Sequence, residues 1–444
     1  MLSKGTKKKM GRAFKSNFSI VSRWDPGSFH SIHWRWPALD MHGMNEILIP
    51  RKEKVDRSSV IYSDLMPVTI HFDGSIEPRR ISDSSEYSME LFWIRPGDIV
   101  ASKIDLKNGA LAIVPQNWND AVVTNHFAVY EPDLDRVNPI YFHMLVQARF
   151  FKEYLWRNKV GAEGRKEVKL KFFEGIEIPL PDIAVQTRIV DYWEKALHEN
   201  RNAKESLSNL INEISTLLEQ KTSHFHELTA SKVVKANYAK IRQWDSKAGR
   251  AAAFITANPD FIRLGDFTEE GIESVRASDE PEKEWPIYGV NNKTGVFLST
   301  MQLGKDFNMP YKKIERDYFF HNPTRANVGS LGIVGDVPED AITSPEYQVW
   351  KLTGGFLPDF MALLIRTKYF LSLVAFNRVG GVKQRMYYAN LAEIRLPMIE
   401  MSVQRDFARR RKDILAQIDS AKAELAKRKI EIEEMILGTR PVPS

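Results

Sequence analysis

Short apolar runs closed by turn dipeptides give way to a long stretch of heptad spacing, and this whole order occurs twice along the chain. In the first copy, LMPVTIHF (residues 65–72), DIVASKI (98–104), ALAIVP (110–115) and AVVTNHFAVY (121–130) have the length and β-branched content of strands. Asp73-Gly74, Pro96-Gly97 and Asn108-Gly109 punctuate them as turns. IYFHMLVQARFFKEYL (140–155), behind the start signal Asn138-Pro139, is predicted to be a helix. The second copy offers a hairpin over 285–299 that turns through 291–295, then the strands YFFHN, LGIVG and YQVWKL, then a helix over 357–374. The copies keep a near-constant offset. Asp98 and Asp317, Pro139 and Pro358, and Val160-Gly161 and Val379-Gly380 lie 219 positions apart, while Ile113-Val114 and Ile333-Val334 lie 220 apart. Such self-similarity means two copies of one globular unit, here of mixed α+β class rather than a doubly wound sheet.

Each copy runs into a charged segment with a narrower apolar stripe. In the first, Ile189, Trp193, Ala196, Asn200, Ala203, Leu207, Leu210, Ile214 and Leu217 follow 4-3 spacing. Phe407, Arg411, Ile414, Ile418, Ala421, Leu425, Arg428, Ile432 and Met435 repeat the rhythm 218 residues later. A 3.5-residue repeat wants a partner helix rather than a broad core face. The two segments are therefore expected to pair as an antiparallel coiled coil through Ile189, Trp193, Asn200, Leu207, Ile214, Ile414, Ile418, Leu425 and Ile432. Two helices packed independently on their own domains are the alternative. Asn200, at a stripe position, would fix register at some cost in stability. A helix from residue 183 to about 221 would be about 58 Å long, enough to hold two domains against DNA segments about 34–36 Å apart, one helical turn. The expected organisation is a basic tail (1–18), a globular domain (19–182), a long helix (183–225), a connector (226–260), a second globular domain (261–400), a second long helix (401–438) and a short tail (439–444).

Composition narrows the function classes. With no cysteine, thiol catalysis, disulfides and cysteine-ligated metal are excluded. A formal net charge of +6 is compatible with a polyanionic partner without requiring one. No stretch reaches the roughly 18 uninterrupted apolar residues of a membrane span, and the basic N-terminus lacks the apolar core of a secretory signal; a cytoplasmic protein without membrane contact is expected. NPTR (322–325) lacks the second proline and the aromatic of an adenine methyltransferase turn. GAEGRKE (161–167) does not have P-loop spacing, and His30, His33, His224 and His226 lack the spacing of a metal site.

The join between domain and helix carries a family resemblance. LKFFEGIEIPLPDIAVQTRIVDYW, continuing to residue 220, resembles the region of type I restriction–modification specificity subunits in which an I-P-L-P…Q element enters a long helix. LAEIRLPMIEMSVQRDF, continuing to residue 438, is a degraded second version, with seven residues from Pro397 to Gln404 against five from Pro181 to Gln186. GDIVASKIDLKNGALAIV is similar to the family's core strand. The resemblance implies a non-catalytic subunit with two target recognition domains, each reading one half of a bipartite, asymmetric site in double-stranded DNA. The helices would set the spacing and dock two modification (methyltransferase) subunits, joined by restriction (translocase and nuclease) subunits. No cofactor is implied for this chain; S-adenosylmethionine, ATP and Mg would belong to those partners. A scaffold or decoy that binds modification subunits without reading DNA is the alternative.

Groove reading requires Arg, Lys, Asn or Gln on loops, because these match the hydrogen-bonding edges of purines. The first domain offers Arg79 and Arg80 after a turn, Lys103, Lys107 and Asn108 around another, and Arg165, Lys166 and Lys169 before the LP element. The second offers His321, Asn322, Arg325 and Asn327, then Lys383, Gln384 and Arg385. A Gly-led basic loop occupies the same place in both copies, GAEGRKEVK and GGVKQRMYY. Tyr387 and Tyr388 read as core residues.

Overall fold

The computed structural model describes residues 31–56, 58–79, 89–161, 166–241 and 244–443. The basic tail thus lies outside the described residues, as do Arg80 and Arg165. The chain divides into two compact units: unit 1 joins residues 1–198 to 423–444, and unit 2 spans 199–422. Each unit holds the start of one long helix and the end of the other.

In unit 1 a four-stranded antiparallel sheet has the order Leu48–Arg51, Phe127–Pro132, Ile99–Ser102, Leu111–Ile113. A second sheet has the order Ile76–Pro78, Met66–Ile70, Ala121–Thr124, Leu91–Trp93, with one parallel pairing between 66–67 and 121–122. Successive side chains of a strand face opposite ways. Ile99 and Ala101 accordingly enter a cluster with Tyr141, Phe142 and Leu145, while Val100 enters another with Val68, Ile94 and Val123. Burial on both faces explains why this strand reads as an unbroken apolar run rather than an alternation.

Unit 2 repeats the arrangement. Its four-stranded sheet has the order Thr268–Glu270, Gln348–Leu352, Phe319–His321, Leu331–Ile333. Phe319 faces the helical core, and Phe320 faces a second cluster with Val290 and Ile314. The second sheet again has one parallel pairing, between 287–288 and 342–343. Its hairpin, Glu284–Asn291 and Gly295–Leu303, follows the expected turn.

Four expectations need correction. The apolar segment 140–155 is two helices, Pro139–Gln147 and Arg149–Arg157, separated by an extended Ala148 (ψ 140°). The segment 357–374 likewise splits into Pro358–Leu364 and Lys368–Asn377, with an extended Thr367 whose side chain accepts a hydrogen bond from the Phe370 N–H. Residues 121–130 form two strands around a turn at Asn125-His126. The pairing of Asp98 with Asp317 also shifts by one residue. Gly97 (φ +85°) and Asp317 (φ +65°) hold the same left-handed position, and their N–H groups donate to Val114 O and Val334 O. Asp98 instead corresponds to Tyr318. It is buried against Arg51 (3.3 Å), and loss of hydration raises its carboxyl pKa.

The long helices span Ile183–Gln220 and Met401–Leu437. In unit 1, Ile189 and Val190 pack with Ile432, Met435 and Ile436, and the Tyr192 hydroxyl donates to Glu431. In unit 2, Leu210 and Ile214 share a cluster with Phe407 and Ile414, and Arg410 reaches Glu213 at 2.8 Å. The start of each helix thus meets the end of the other, which makes the pairing antiparallel within each unit. The two polar pairs are counterparts, since 410 − 192 and 431 − 213 are both 218. Arg428, at a stripe position, is made tolerable by donating to Tyr192 O and Glu424 while lying 4.4 Å from the Tyr192 ring. The Asn200 Oδ1 is enclosed without a hydrogen-bond partner among the described residues.

The Q of the LP…Q element has a structural task. Gln186, fully buried, donates to Arg136 O and Pro181 O (both 2.8 Å) and accepts from the Asn138 N–H (2.9 Å). Gln404, also fully buried, donates to Gly355 O (3.0 Å) and Ile399 O (2.8 Å) and accepts from the Leu357 N–H (2.9 Å). Each side chain ties the root of a long helix to the segment entering its domain's first helix. Ile399, five residues before Gln404, is therefore the counterpart of Pro181, so the two extra residues after Pro397 leave the joint unchanged.

Candidate nucleic-acid interface

The site is built on one scaffold used twice. The central strand of each four-stranded sheet leads into a short 3-10 turn, Leu106–Asn108 in unit 1 and Ala326–Val328 in unit 2. Each turn closes on a left-handed glycine, Gly109 (φ +97°) or Gly329 (φ +90°). A β-carbon at 109 would also meet Phe72 O at 2.6 Å. Hydrogen bonding aligns the turns at an offset of 220: Ser102 N–H donates to Ala110 O, and Asn322 N–H to Ser330 O. Asp105 thus corresponds to Arg325, and Lys107 to Asn327.

In unit 1 the polar groups of this turn are each tied to a nearby carbonyl or carboxylate. Lys103 Nζ donates to Asn125 O (2.6 Å), Lys107 Nζ to Ile104 O (2.5 Å), and Asn108 Nδ2 to Asp105 Oδ1 (2.9 Å). Further along, Lys169 pairs with Glu167 at 2.5 Å, and Lys166 is exposed beside the Val160–Glu167 bridge. Arg79 is exposed at a strand end.

In unit 2 the two basic patches come together. Met386 N–H donates to Pro323 O (2.8 Å), and Arg378 donates to both Gln384 O (2.7 Å) and Thr324 O (3.4 Å). Lys247 donates to the Gln384 side chain, which occupies that amide. Lys383 and neighbouring Val382 are exposed at the loop tip, while Arg385 NH1 touches the Tyr387 hydroxyl at 3.3 Å. Tyr388 is anchored by its hydroxyl to Thr268 O (2.8 Å), whereas Tyr387 is exposed rather than core.

His321 is a correction: it is fully buried and presents no edge to a groove. Its Nε2 lies 2.9 Å from Met386 O, so it fastens the 379–386 loop to the central strand. Loss of hydration is the main cause that depresses its pKa from 6.5 to about 4, with Lys312 adding a little and the Met386 carbonyl opposing. The imidazole is neutral near pH 7 and donates to that carbonyl.

A third element completes the surface. Arg366 donates to Gly329 O (3.2 Å) and to Asn292 O, which holds the hairpin tip against the turn. Between them lies a concavity of about 510 Å³ lined by Asn291, Asn292, Asn322, Arg325, Asn327 and Arg378 among others, with no carboxylate in the lining. Of these lining residues, Asn322, Arg325 and Asn327 were candidates from the sequence, whereas Asn291 and Asn292 read only as a turn and Arg378 lies outside any patterned loop. In unit 1 a concavity of about 380 Å³ beside Lys103 and Asn125 includes Glu174, whose carboxylate accepts from the Tyr130 hydroxyl (2.8 Å). Among the described residues, no group of three or more His, Asp or Glu could hold a metal ion. No helix among them is long and apolar enough to cross a membrane.

Residues 87–213 match the family model described as type I restriction modification DNA specificity domain. That stretch contains the central strand, the turn, the Gln186 joint and most of the first long helix. Three solved chains are similar at low identity. One comes from a structure of complex assembly and conformational transition of the type I R-M system, with 15% identity over 91% of this chain and 98% of that one and a TM-score of 0.43. The HsdS subunit from Thermoanaerobacter tengcongensis gives 16%, 91%, 95% and 0.32. The type I restriction–modification S subunit from M. genitalium gives 14%, 91%, 96% and 0.42. No curated protein matches the chain.

Proposed function

We infer that this chain is the DNA-recognition subunit of a type I restriction–modification system, with each unit reading one half of a bipartite site. The observation that carries this reading is the duplication itself. The stretch that matches the specificity-domain family recurs in unit 2 with the same sheet order, the same turn and the same buried glutamine. Two unlike readers on one polypeptide suit a target whose halves differ. The chain itself contributes recognition. Methylation and cleavage would belong to partner modification and restriction subunits, which would also carry the S-adenosylmethionine, ATP and Mg.

Exposed basic residues around the concavity supply phosphate contacts, which position a protein without specifying sequence. Binding of the assembled complex to duplex DNA should therefore weaken log-linearly with salt. Lys383→Ala combined with Arg385→Ala should lower affinity by tenfold or more, each contact being worth about 1–3 kcal/mol at most, while assembly with modification subunits persists. Fluorescence anisotropy across a salt series checks both. Affinity independent of salt would favour a scaffold that does not read DNA, and loss of assembly in the double variant would make those residues structural.

A further inference from the structure

We propose that in unit 2 the turn after the central strand and the hairpin tip beside it read base edges, through Arg325, Asn327 and Asn292, and that the counterpart turn in unit 1 does not. The proposal rests on the reading of the chain as a DNA-recognition subunit, and it assigns the two copies of one scaffold different work.

The copies differ in which hydrogen-bonding groups are left free. Asn291 Oδ1 accepts from Lys293 N–H, Thr294 N–H and the Thr294 hydroxyl, and Asn322 Oδ1 accepts from Thr324 N–H and its hydroxyl. Those two amides keep donors but no acceptor. Among the described residues, the side chains of Asn292 and Asn327 have no partner, and neither does the Arg325 guanidinium. Adenine presents an acceptor at N7 beside a donor at N6 in the major groove, so a single amide must offer donor and acceptor together. Of the four asparagines around this concavity, only Asn292 and Asn327 do. Arg325 supplies the paired donors that suit guanine O6 and N7. The three residues are held side by side, because Arg366 bridges Asn292 O and Gly329 O, and a β-carbon at Gly329 would sit 3.4 Å from Asn292 Cβ.

In unit 1 the counterparts of Arg325 and Asn327 carry other chemistry, an acceptor-only carboxylate and a donor-only ammonium, so neither presents a donor and an acceptor together. Asp105 stands where Arg325 stands and takes the Asn108 amide, while Lys107, the counterpart of Asn327, donates back to Ile104 O. A carboxylate at 105 also repels phosphate. The turn itself has the same backbone in both copies, so there the difference lies in side chains.

The test uses the complex with its modification subunit and maps methylated positions on a library of random duplexes. A wild-type complex that yields no bipartite pattern would overturn the recognition reading itself, independently of the residues assigned here. Given a bipartite pattern, Asn292→Ala with Asn327→Ala should relax discrimination by about tenfold to a hundredfold at one or two positions of a single half. Lys107→Ala should leave both halves as they were. An unchanged pattern in the asparagine variant would overturn the proposal, as would an altered base preference in the lysine variant. A lowered melting temperature in the asparagine variant would also overturn it, since unpartnered side chains contribute little to stability.

Discussion

Gln404→Ala should lower the stability of unit 2 by about 3–5 kcal/mol, measured by denaturant unfolding followed through tryptophan fluorescence. The substitution removes three hydrogen bonds at a fully buried position. It strands the Leu357 N–H and the carbonyls of Gly355 and Ile399, and a stranded buried group costs about 1–3 kcal/mol. Gln186→Ala should act the same way on unit 1. Gln→Glu at either site should be worse than neutral, because a carboxylate cannot donate to the two carbonyls and its charge would be buried unpaired. A loss below about 1 kcal/mol would show that water or backbone movement replaces the side chain.

Acid should destabilise unit 2 through His321. Its folded pKa of about 4 lies below the ordinary 6.5, so between those values the unfolded chain binds more protons than the folded one. The stabilising difference is fully present above pH 6.5 and is lost as the pH falls toward 4, by about 3 kcal/mol in all. His321→Gln retains a donor for Met386 O but cannot titrate. The stability difference between wild type and His321→Gln should therefore change with pH across that window and level off on either side. A difference independent of pH would mean that the imidazole gains access to water.

The residues that made the fold legible were those whose neighbours in sequence are also their neighbours in space. Heptad spacing is readable because a helix places residues three and four apart on one side, and Ile189 and Ile432, both on that stripe, lie in one cluster. The strand 99–102 and its repeat were readable because both faces are buried. The breaks at Ala148 and Thr367 were not, since neither carries a glycine or proline and the apolar pattern runs through both. The one-residue shift at Asp317 escaped because the left-handed site is held by glycine in one copy and aspartate in the other.

The candidate surface was legible as residue types and loops, not as an inventory of free groups. Lys103, Lys107 and Asn108 look from sequence as available as Arg325 and Asn327, and only the carbonyls and carboxylate they meet tell them apart. His321 looked like part of a polar loop, yet strand pairing turns it inward on the same face as Phe319. Gln186 and Gln404 were visible as a motif, but the reason for glutamine lies in carbonyls up to 50 residues away.

In the proposed function each of the two duplicated units reads half of one DNA site. The most direct measurement replaces residues 261–390 with the corresponding segment of a different specificity subunit and maps methylated adenines in cells that carry the modification subunit. The account predicts that one half of the recognised sequence changes and the other is retained. A change in both halves, or in neither, would contradict it.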